Sequence, residues 1–324
     1  MPAFRLNADN PQTAVVFNPG SFRIARRDRW RRIESLARDA GITAIRVHDL
    51  SGIEQAVRDA VRVRAERLIL IGGDGTLQAA VTTLARLGPE PAPPRLMILG
   101  GGRSNYVARD LGSHQNLLPM LEKALKQPAA MKVERRTSFG VHQKGKEVQH
   151  GFFFGAGLVD DIIRDCHDYQ AGPGFWQRGH LSTPLRLAQR GAMALIGQSR
   201  FEPPTMTIEA TGLGRLEAPI RLLLVATLRH QGQFIDPYAD RGTGAIRLTA
   251  VAAGARGFWP RLYRLIRGRY HPAMLPEAGY LSGATDRLAI QGLPGISLDG
   301  QAFDFDPCQP VEILPGPEFE FLIP

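Results

Sequence analysis

The stretch Leu68-Ile69-Leu70-Ile71-Gly72-Gly73-Asp74-Gly75-Thr76 decides the fold class. An apolar run closed by glycines reads as a buried strand, and the run from Leu77 to Leu87 reads as the helix that follows it. Glycines at such a junction let the backbone approach an anion closely. The helix start beyond them supplies unpaired N–H groups and the positive end of a dipole, a ready phosphate site. Asp74 inside that loop would repel a phosphate unless a cation intervened, and Mg²⁺ held by one or two carboxylates plus phosphates fits. Thr76 is placed to cap the helix or to bond a phosphate. A tight strand-to-helix turn with Asp74 and Thr76 as caps is the purely structural alternative.

Outward from this loop, strands and helices alternate. Thr13 to Asn18 is a strand ended by Pro19-Gly20, and Arg26 to Ala40 sets Trp30, Ile33, Ala37 and Ala40 on one helix face. Ala44 to Val47 is a strand. Ser51, with Glu54 three residues on, caps a helix to about Val63. Leu96 to Leu99 is a fourth strand, followed by Gly100-Gly101-Gly102-Arg103-Ser104-Asn105, and Asn116 to Lys126 is a further helix. This alternation predicts a parallel sheet covered on both faces. Its strand ends at Asn18-Pro19-Gly20-Ser21, Gly72 and Gly100 would then border one crevice.

From about Arg135 the segments become short and glycine-punctuated: Val148 to Phe154, Thr205 to Ala210, Leu222 to Thr227, Ala245 to Val251, Arg287 to Gln291, Gly295 to Leu298, Val311 to Leu314 and Glu318 to Ile323. Short strands with regular turns predict an antiparallel β-sandwich. Pro184 to Ile196 and Trp259 to Arg267 read as helices within it. Residues 1–134 then form the α/β domain and 135–314 the sandwich, with about 315–324 free to return to the first domain.

Composition narrows the class. Of 324 residues, 40 are Lys or Arg and 31 are Asp or Glu, a net charge of +9 with a pI near 10.0. Hydrophobic residues at 44% rule out long-range disorder. Cys166 and Cys308 are too few for a disulfide framework or a cysteine-based zinc site. No run approaches the ~20 apolar residues that span a bilayer, and Met1 to Asn10 carries no apolar signal segment, so the expectation is a cytoplasmic protein. The positive charge calls for an anionic partner. Arg23 to Arg32 and Arg261 to Arg269 suit a solvated helix face or an anionic membrane. No nucleic-acid motif accompanies them. Three further motifs read as structural. Gly140 to Glu147 lacks the Ser or Thr of a P-loop and suits a hairpin turn, Gly155-Ala156-Gly157 lacks the third fingerprint glycine, and Cys166-His167-Asp168 has no partner at ligand spacing.

Together these segments resemble the diacylglycerol kinase catalytic family, which includes bacterial lipid kinases and the sphingosine kinases. Asn18-Pro19 matches that family's first nucleotide loop, and Gly72 to Thr76 matches its GGDGT motif in full. Gly102 to Arg109 (GRSNYVAR) is similar to its GTxNDFAR segment, and Leu298-Asp299-Gly300-Gln301 to its late LDGE motif. Gly179 to Leu195, and Pro237 with Ala239, are weaker likenesses. Five departures stand out: Phe22 for a glycine, Arg103 for Thr, Tyr106 and Val107 for Asp-Phe, and Gln301 for Glu. Asp240 to Ala245 also lacks the family's Asp-Asp-Gly, against a structural Mg²⁺ there.

The resemblance implies a 6-phosphofructokinase-like nucleotide domain, a sandwich supplying an apolar groove for acyl chains, and a cleft between the two. ATP would be the phosphoryl donor, with Mg²⁺ held at Asp74. Asp299 would take the proton of a diacylglycerol-like lipid hydroxyl, with Asp74 as the second catalytic carboxylate. Asn18, Gly72, Gly73, Gly75 and Thr76 would contact the nucleotide from the first two loops. Gly102, Arg103, Ser104 and Asn105 would do so from the third. A lipid substrate in a chain without a spanning helix implies peripheral association with anionic membranes. No nucleic acid is implied, and a homodimer is compatible. An NAD kinase-like enzyme, which shares GGDGT, and a catalytically weakened relative that binds lipid or nucleotide are the alternatives.

Overall fold

In the computed structural model, residues 13–171, 201–228 and 236–323 are described. Four strands, β1 (Thr13–Phe17), β2 (Ala44–Arg46), β3 (Arg67–Gly72) and β4 (Arg95–Gly100), run parallel in the order β2-β1-β3-β4. Period-two alternation sends their side chains to opposite faces. Ala14, Val16, Leu68, Leu70, Leu96 and Ile98 pack under helices α3 (Leu50–Arg62) and α4 (Asp74–Leu87). Val15, Phe17, Ile69, Ile71, Met97 and Leu99 pack under α2 (Arg29–Asp39) and α6 (Leu117–Lys126). Because both faces are covered, β1, β3 and β4 are apolar after their first residues, as the sequence predicts, and only the edge strand β2 ends in an exposed arginine, Arg46. Two short helices, α1 (Phe22–Ala25) and α5 (Tyr106–Asp110), sit at the carboxyl edge of this sheet.

The second half is antiparallel. Its strands are β5 (Lys132–Gln143), β6 (Gln149–Gly151), β7 (Phe153–Gly157), β8 (Thr205–Ala210), β9 (Gly214–Ala226), β10 (Ile246–Ala252), β11 (Tyr280–Thr285), β12 (Leu288–Gln291), β13 (Gly295–Leu298), β14 (Gln301–Asp304) and β15 (Val311–Ile323). Helix α7 (Leu158–Ala171) follows β7, and α8 (Phe258–Ile266) follows β10. Phe139, Ile208, Ile290 and Ile313 from β5, β8, β12 and β15 meet Phe154, Leu223, Leu248 and Ile296 from β7, β9, β10 and β13 in one core. The first half of strand β9, Gly214 to Pro219, pairs with β8, and its second half, Leu222 to Ala226, runs between β7 and β10, so it carries the chain between the two layers.

The halves are joined by the last strand. β15 pairs antiparallel with β5 from Val311 to Ile323, and Phe321 sits parallel beside Leu96 of β4. The boundaries at 134 and 314 therefore fall inside β5 and β15, strands shared by both halves. Phe321 is fully buried in the N-terminal core, its ring edge-on to Phe152 at 5.8 Å.

Local departures from the sequence reading have local causes. The helix expected over Arg26 to Ala40 opens as a 3-10 turn at Arg26–Asp28 and becomes α2 only at Arg29, because Asp28 takes a left-handed conformation; α1 precedes the expected span. Asp49, not Ser51, caps α3: its carboxylate accepts the Gly52 N–H at 2.8 Å and the Ser51 hydroxyl at 2.9 Å. Helix α4 begins at Asp74, three residues before the expected start. Val148 to Phe154 splits into β6 and β7 because Phe152 turns away into the N-terminal core. Val311 to Leu314 and Glu318 to Ile323 are one strand whose register shifts between Pro315 and Glu318, where prolines cannot serve the ladder. Gly140 to Glu147 is the end of β5 and its hairpin, with Gly145 at φ 80°. The helix read over Pro184 to Ile196 lies outside the described residues.

Phe321→Ala tests the joint. Truncating a fully buried aromatic costs about 3–5 kcal/mol. Urea unfolding of the variant should show a loss in that range, whereas a loss below 1 kcal/mol would mean that β15 does not tie the halves together.

Candidate active site

Three loops meet at the carboxyl edge of β1, β3 and β4, and backbone hydrogen bonds stitch them. The Gly101 N–H donates to the Gly72 carbonyl at 2.7 Å, and the Arg23 N–H donates to the Gly101 carbonyl at 2.8 Å. The Arg23 guanidinium also holds the carbonyls of Gly100 and His114. The second and third loops lie back to back. A Cβ on Gly102 would sit 2.7 Å from the Gly73 Cα, backbone against backbone. Gly72 is crowded in the same way by Thr76, whose Oγ1 would be 2.4 Å from an added Cβ. Glycine is thus required here by close packing of one loop on another.

Asp74 opens α4 and is only 6% exposed. Its Oδ2 accepts the Ser104 hydroxyl at 2.7 Å, and its Oδ1 accepts the Val107 N–H at 3.2 Å. The Tyr106 N–H also donates to it. The carboxylate therefore caps α5 from a different loop, where its charge faces the positive end of that helix. Burial still raises its pKa above the usual carboxylate value, with the two backbone N–H groups and Ser104 opposing.

Asp299 arrives from the other half. β13 and β14 form a two-residue hairpin, with Leu298 paired to Gln301 and Asp299-Gly300 at φ 44° and 79°. Both positive φ values fit the turn type that Asp-Gly favours. The turn reading is thus correct for the backbone, yet the side chain points inward. Asp299 is 2% exposed; its Oδ2 accepts the Phe152 N–H and its Oδ1 the Phe153 N–H, each at 3.0 Å. Burial, and then the nearby charge of Asp74, push its pKa well above the usual carboxylate range.

Both carboxylates line one cleft of about 760 Å³ between the halves, within the ordinary size of a small-molecule site. Gly75, Gly102, Arg103 and Ser104 line it as well. Asn18, Gly72, Gly73, Thr76 and Asn105 do not. They shape the loops: the Asn18 carboxamide accepts the Gly20 N–H at 2.9 Å, and Asn105 clasps the Gly102 N–H and carbonyl at 2.7 and 2.9 Å. Gly20, Ser21, Phe22, Ala25, Arg26, Gly300 and Gln301 complete the lining. Gly20 and Ser21 belong to the loop that the sequence places beside the crevice, and Phe22 follows directly on it. Two departures from the family pattern prove to be partners, since the Arg103 guanidinium lies 4.2 Å over the Phe22 ring. A third, Gln301, reaches over Gly75, where an added Cβ would meet its Nε2 at 2.1 Å.

A divalent cation suits this cleft, because it would relieve the repulsion between Asp74 and Asp299 and each carboxylate oxygen keeps a lone pair beyond its protein donors. Beside Asp240, the Arg241 guanidinium donates to the Met274 carbonyl at 3.3 Å. No cluster of three His, Cys, Asp or Glu suited to a metal occurs among the described residues.

Asp299→Asn separates turn from site. Asn tolerates the left-handed backbone, so a mere turn residue would leave stability unchanged. In the cleft, the new amide would turn a donor toward the backbone N–H of Phe152 or Phe153. That mismatch should cost about 1–3 kcal/mol in urea unfolding.

The comparisons agree with this geometry. Residues 12–134 match the sequence profile of the diacylglycerol kinase catalytic domain. No curated protein sequence matches the chain. Among solved structures, a candidate diacylglycerol kinase from Bacillus anthracis strain Sterne superposes with a TM-score of 0.66 at 16% identity, covering 97% of each chain. A diacylglycerol kinase from the same strain gives 0.59 at 15% identity, again over 97% of each chain. At such identity the superpositions establish a shared fold. Residues 12–134 thus match the diacylglycerol kinase catalytic domain, and the whole chain shares the fold of these structural neighbours.

Proposed function

We propose that the cleft transfers the γ-phosphoryl group of ATP to the hydroxyl of a diacylglycerol-like lipid. The observation that carries the reading is the meeting of Asp299, from the antiparallel half, with the glycine loops and Asp74 of the parallel half. The matched profile over residues 12–134 supports a lipid kinase over an NAD kinase-like enzyme.

Phosphoryl transfer asks a protein for positioning and charge stabilisation more than for covalent chemistry. The packed loops at Gly72–Thr76 and Gly100–Asn105 would hold the phosphates against backbone N–H groups. Arg103, braced on Phe22, and Arg26 place positive charge on the cleft wall. Asp74 would hold Mg²⁺, which neutralises phosphate charge when bound. Asp299, fixed by two backbone N–H groups, would take the proton of the attacking lipid hydroxyl. Gln301 contributes a neutral amide beside it where a carboxylate would add a further negative charge.

Incubation with Mg²⁺ and γ-labelled ATP against a panel of lipid hydroxyls tests the reading, and label should appear in one lipid class. At temperatures where it stays folded, Asp299→Asn should lose roughly 10²- to 10⁴-fold in turnover with ATP affinity retained. The base must be ionised, and its pKa is raised, so kcat/KM should climb with pH through a limb above the ordinary ~3.9 of an aspartate. No labelled lipid, with ATP still bound, would make the chain a nucleotide-binding relative without this activity.

A further inference from the structure

The 36 residues between Asp240 and Glu277 contain seven arginines and no acidic residue. Helix α8 lies within this span. Its inner side buries Leu265 against Val251, Met274 and Tyr280. Its outer side leaves Trp259 44% and Tyr263 64% exposed, and Leu275 in the loop beyond is 43% exposed. These are three of the five large exposed hydrophobics among the described residues. Trp259 and Tyr263 are four residues apart and share a helix face. The Arg267 guanidinium lies 5.6 Å over the Tyr263 ring. Arg256, Arg264, Arg267 and Arg269 are exposed and make no ion pair among the described residues.

The other arginine-rich segment is built differently. There Trp30 is covered by Arg31 at 5.0 Å and Arg46 at 4.3 Å, and Arg46 is paired with Glu34. Its aromatic and its charges satisfy each other. On α8 Trp259 packs edge-on against Phe258 at 4.7 Å and lies under Arg221 at 5.8 Å, yet it and Tyr263 keep about half their surface exposed, and Arg256, Arg264, Arg267 and Arg269 have no acidic partner among the described residues. Exposed aromatics rimmed by cations match the interfacial zone of a bilayer, where rings sit at headgroup depth and arginines bond lipid phosphates.

The helix packs on the chain at Asp236 and Tyr238. The Ile266 carbonyl accepts the Asp236 N–H at 2.9 Å, and Gly268 packs on the carbonyls of Asp236 and Tyr238.

We propose that the outer face of α8, with Trp259, Tyr263, Arg264 and Arg267, docks the protein on an anionic lipid bilayer. The choice of a bilayer over another polyanion rests on the lipid kinase reading of the cleft; the exposed aromatic and arginine side chains of α8 do not.

Co-sedimentation of the full chain with phosphatidylcholine vesicles, with and without phosphatidylglycerol, tests it in the absence of nucleotide and diacylglycerol. The chain should sediment with the anionic vesicles and stay in solution with the neutral ones. Arg264→Gln and Arg267→Gln should each weaken binding about fivefold. Trp259→Ser with Tyr263→Ser should weaken it further at an unchanged melting temperature. Vesicles should shift the tryptophan emission of the parent to shorter wavelength, and Trp259→Phe should abolish that shift. Equal binding to neutral vesicles, or unaltered binding by these variants, overturns the proposal. So does an effect of Trp259→Ser with Tyr263→Ser confined to oligomeric mass by light scattering, which would make the face a contact between copies. Nothing in the assay turns over, so a chain without kinase activity still reports on docking.

Discussion

Two buried carboxylates are held near each other by backbone N–H groups from different parts of the chain, and the cleft depends on that constraint. Tyr106 and Val107 donate to Asp74, while Phe152 and Phe153 donate to Asp299. Among the described residues no arginine is hydrogen-bonded to either acid, and only the charge of Arg109 acts favourably on Asp74 from a distance. Burial and mutual repulsion raise the free energy of their ionised forms, and the fold supplies dipoles in place of countercharge. A site of this kind is primed for a cation and for a proton, the two species that phosphoryl transfer must manage.

The rest of the architecture delivers those donors. The apolar parallel strands end together, so three loops emerge at one edge and pack glycine on glycine. The shared strands β5 and β15 fix the antiparallel half against that edge. The Asp-Gly hairpin then projects Asp299 toward Asp74 across the joint. Moving the Phe321 contact would displace one carboxylate relative to the other, so stability at the joint and geometry at the cleft are coupled.

Much of this was legible in the sequence because the signals are local. Alternating apolar runs gave the parallel sheet, and GGDGT marked the glycine loop at its carboxyl edge. The antiparallel half was legible as a class, but β11 is interrupted by Ser282-Gly283, β14 is four mixed residues, and β5 is polar at its start. At the site, Asp74 and Asp299 could be picked from motif and resemblance. Their surroundings could not, because the cap that Asp74 provides belongs to a helix some thirty residues on. The stacking of Arg103 on Phe22 joins residues far apart in sequence, so two substitutions that look like separate losses prove to be one contact. Asn18 and Asn105 carry the right residue types for ligand contacts but spend hydrogen bonds on their own loops, a choice that only three-dimensional geometry reveals.

The central claim is that the raised pKa values of Asp74 and Asp299 are relieved when Mg²⁺ and ATP occupy the cleft. Calorimetric titration of preformed Mg·ATP into the protein, repeated in buffers of different ionisation enthalpy at about pH 6, measures protons exchanged on binding. At that pH an ordinary aspartate is already ionised. The account predicts net proton release on binding, reduced or absent in Asp299→Asn. Binding with no proton release, or with uptake, would contradict it.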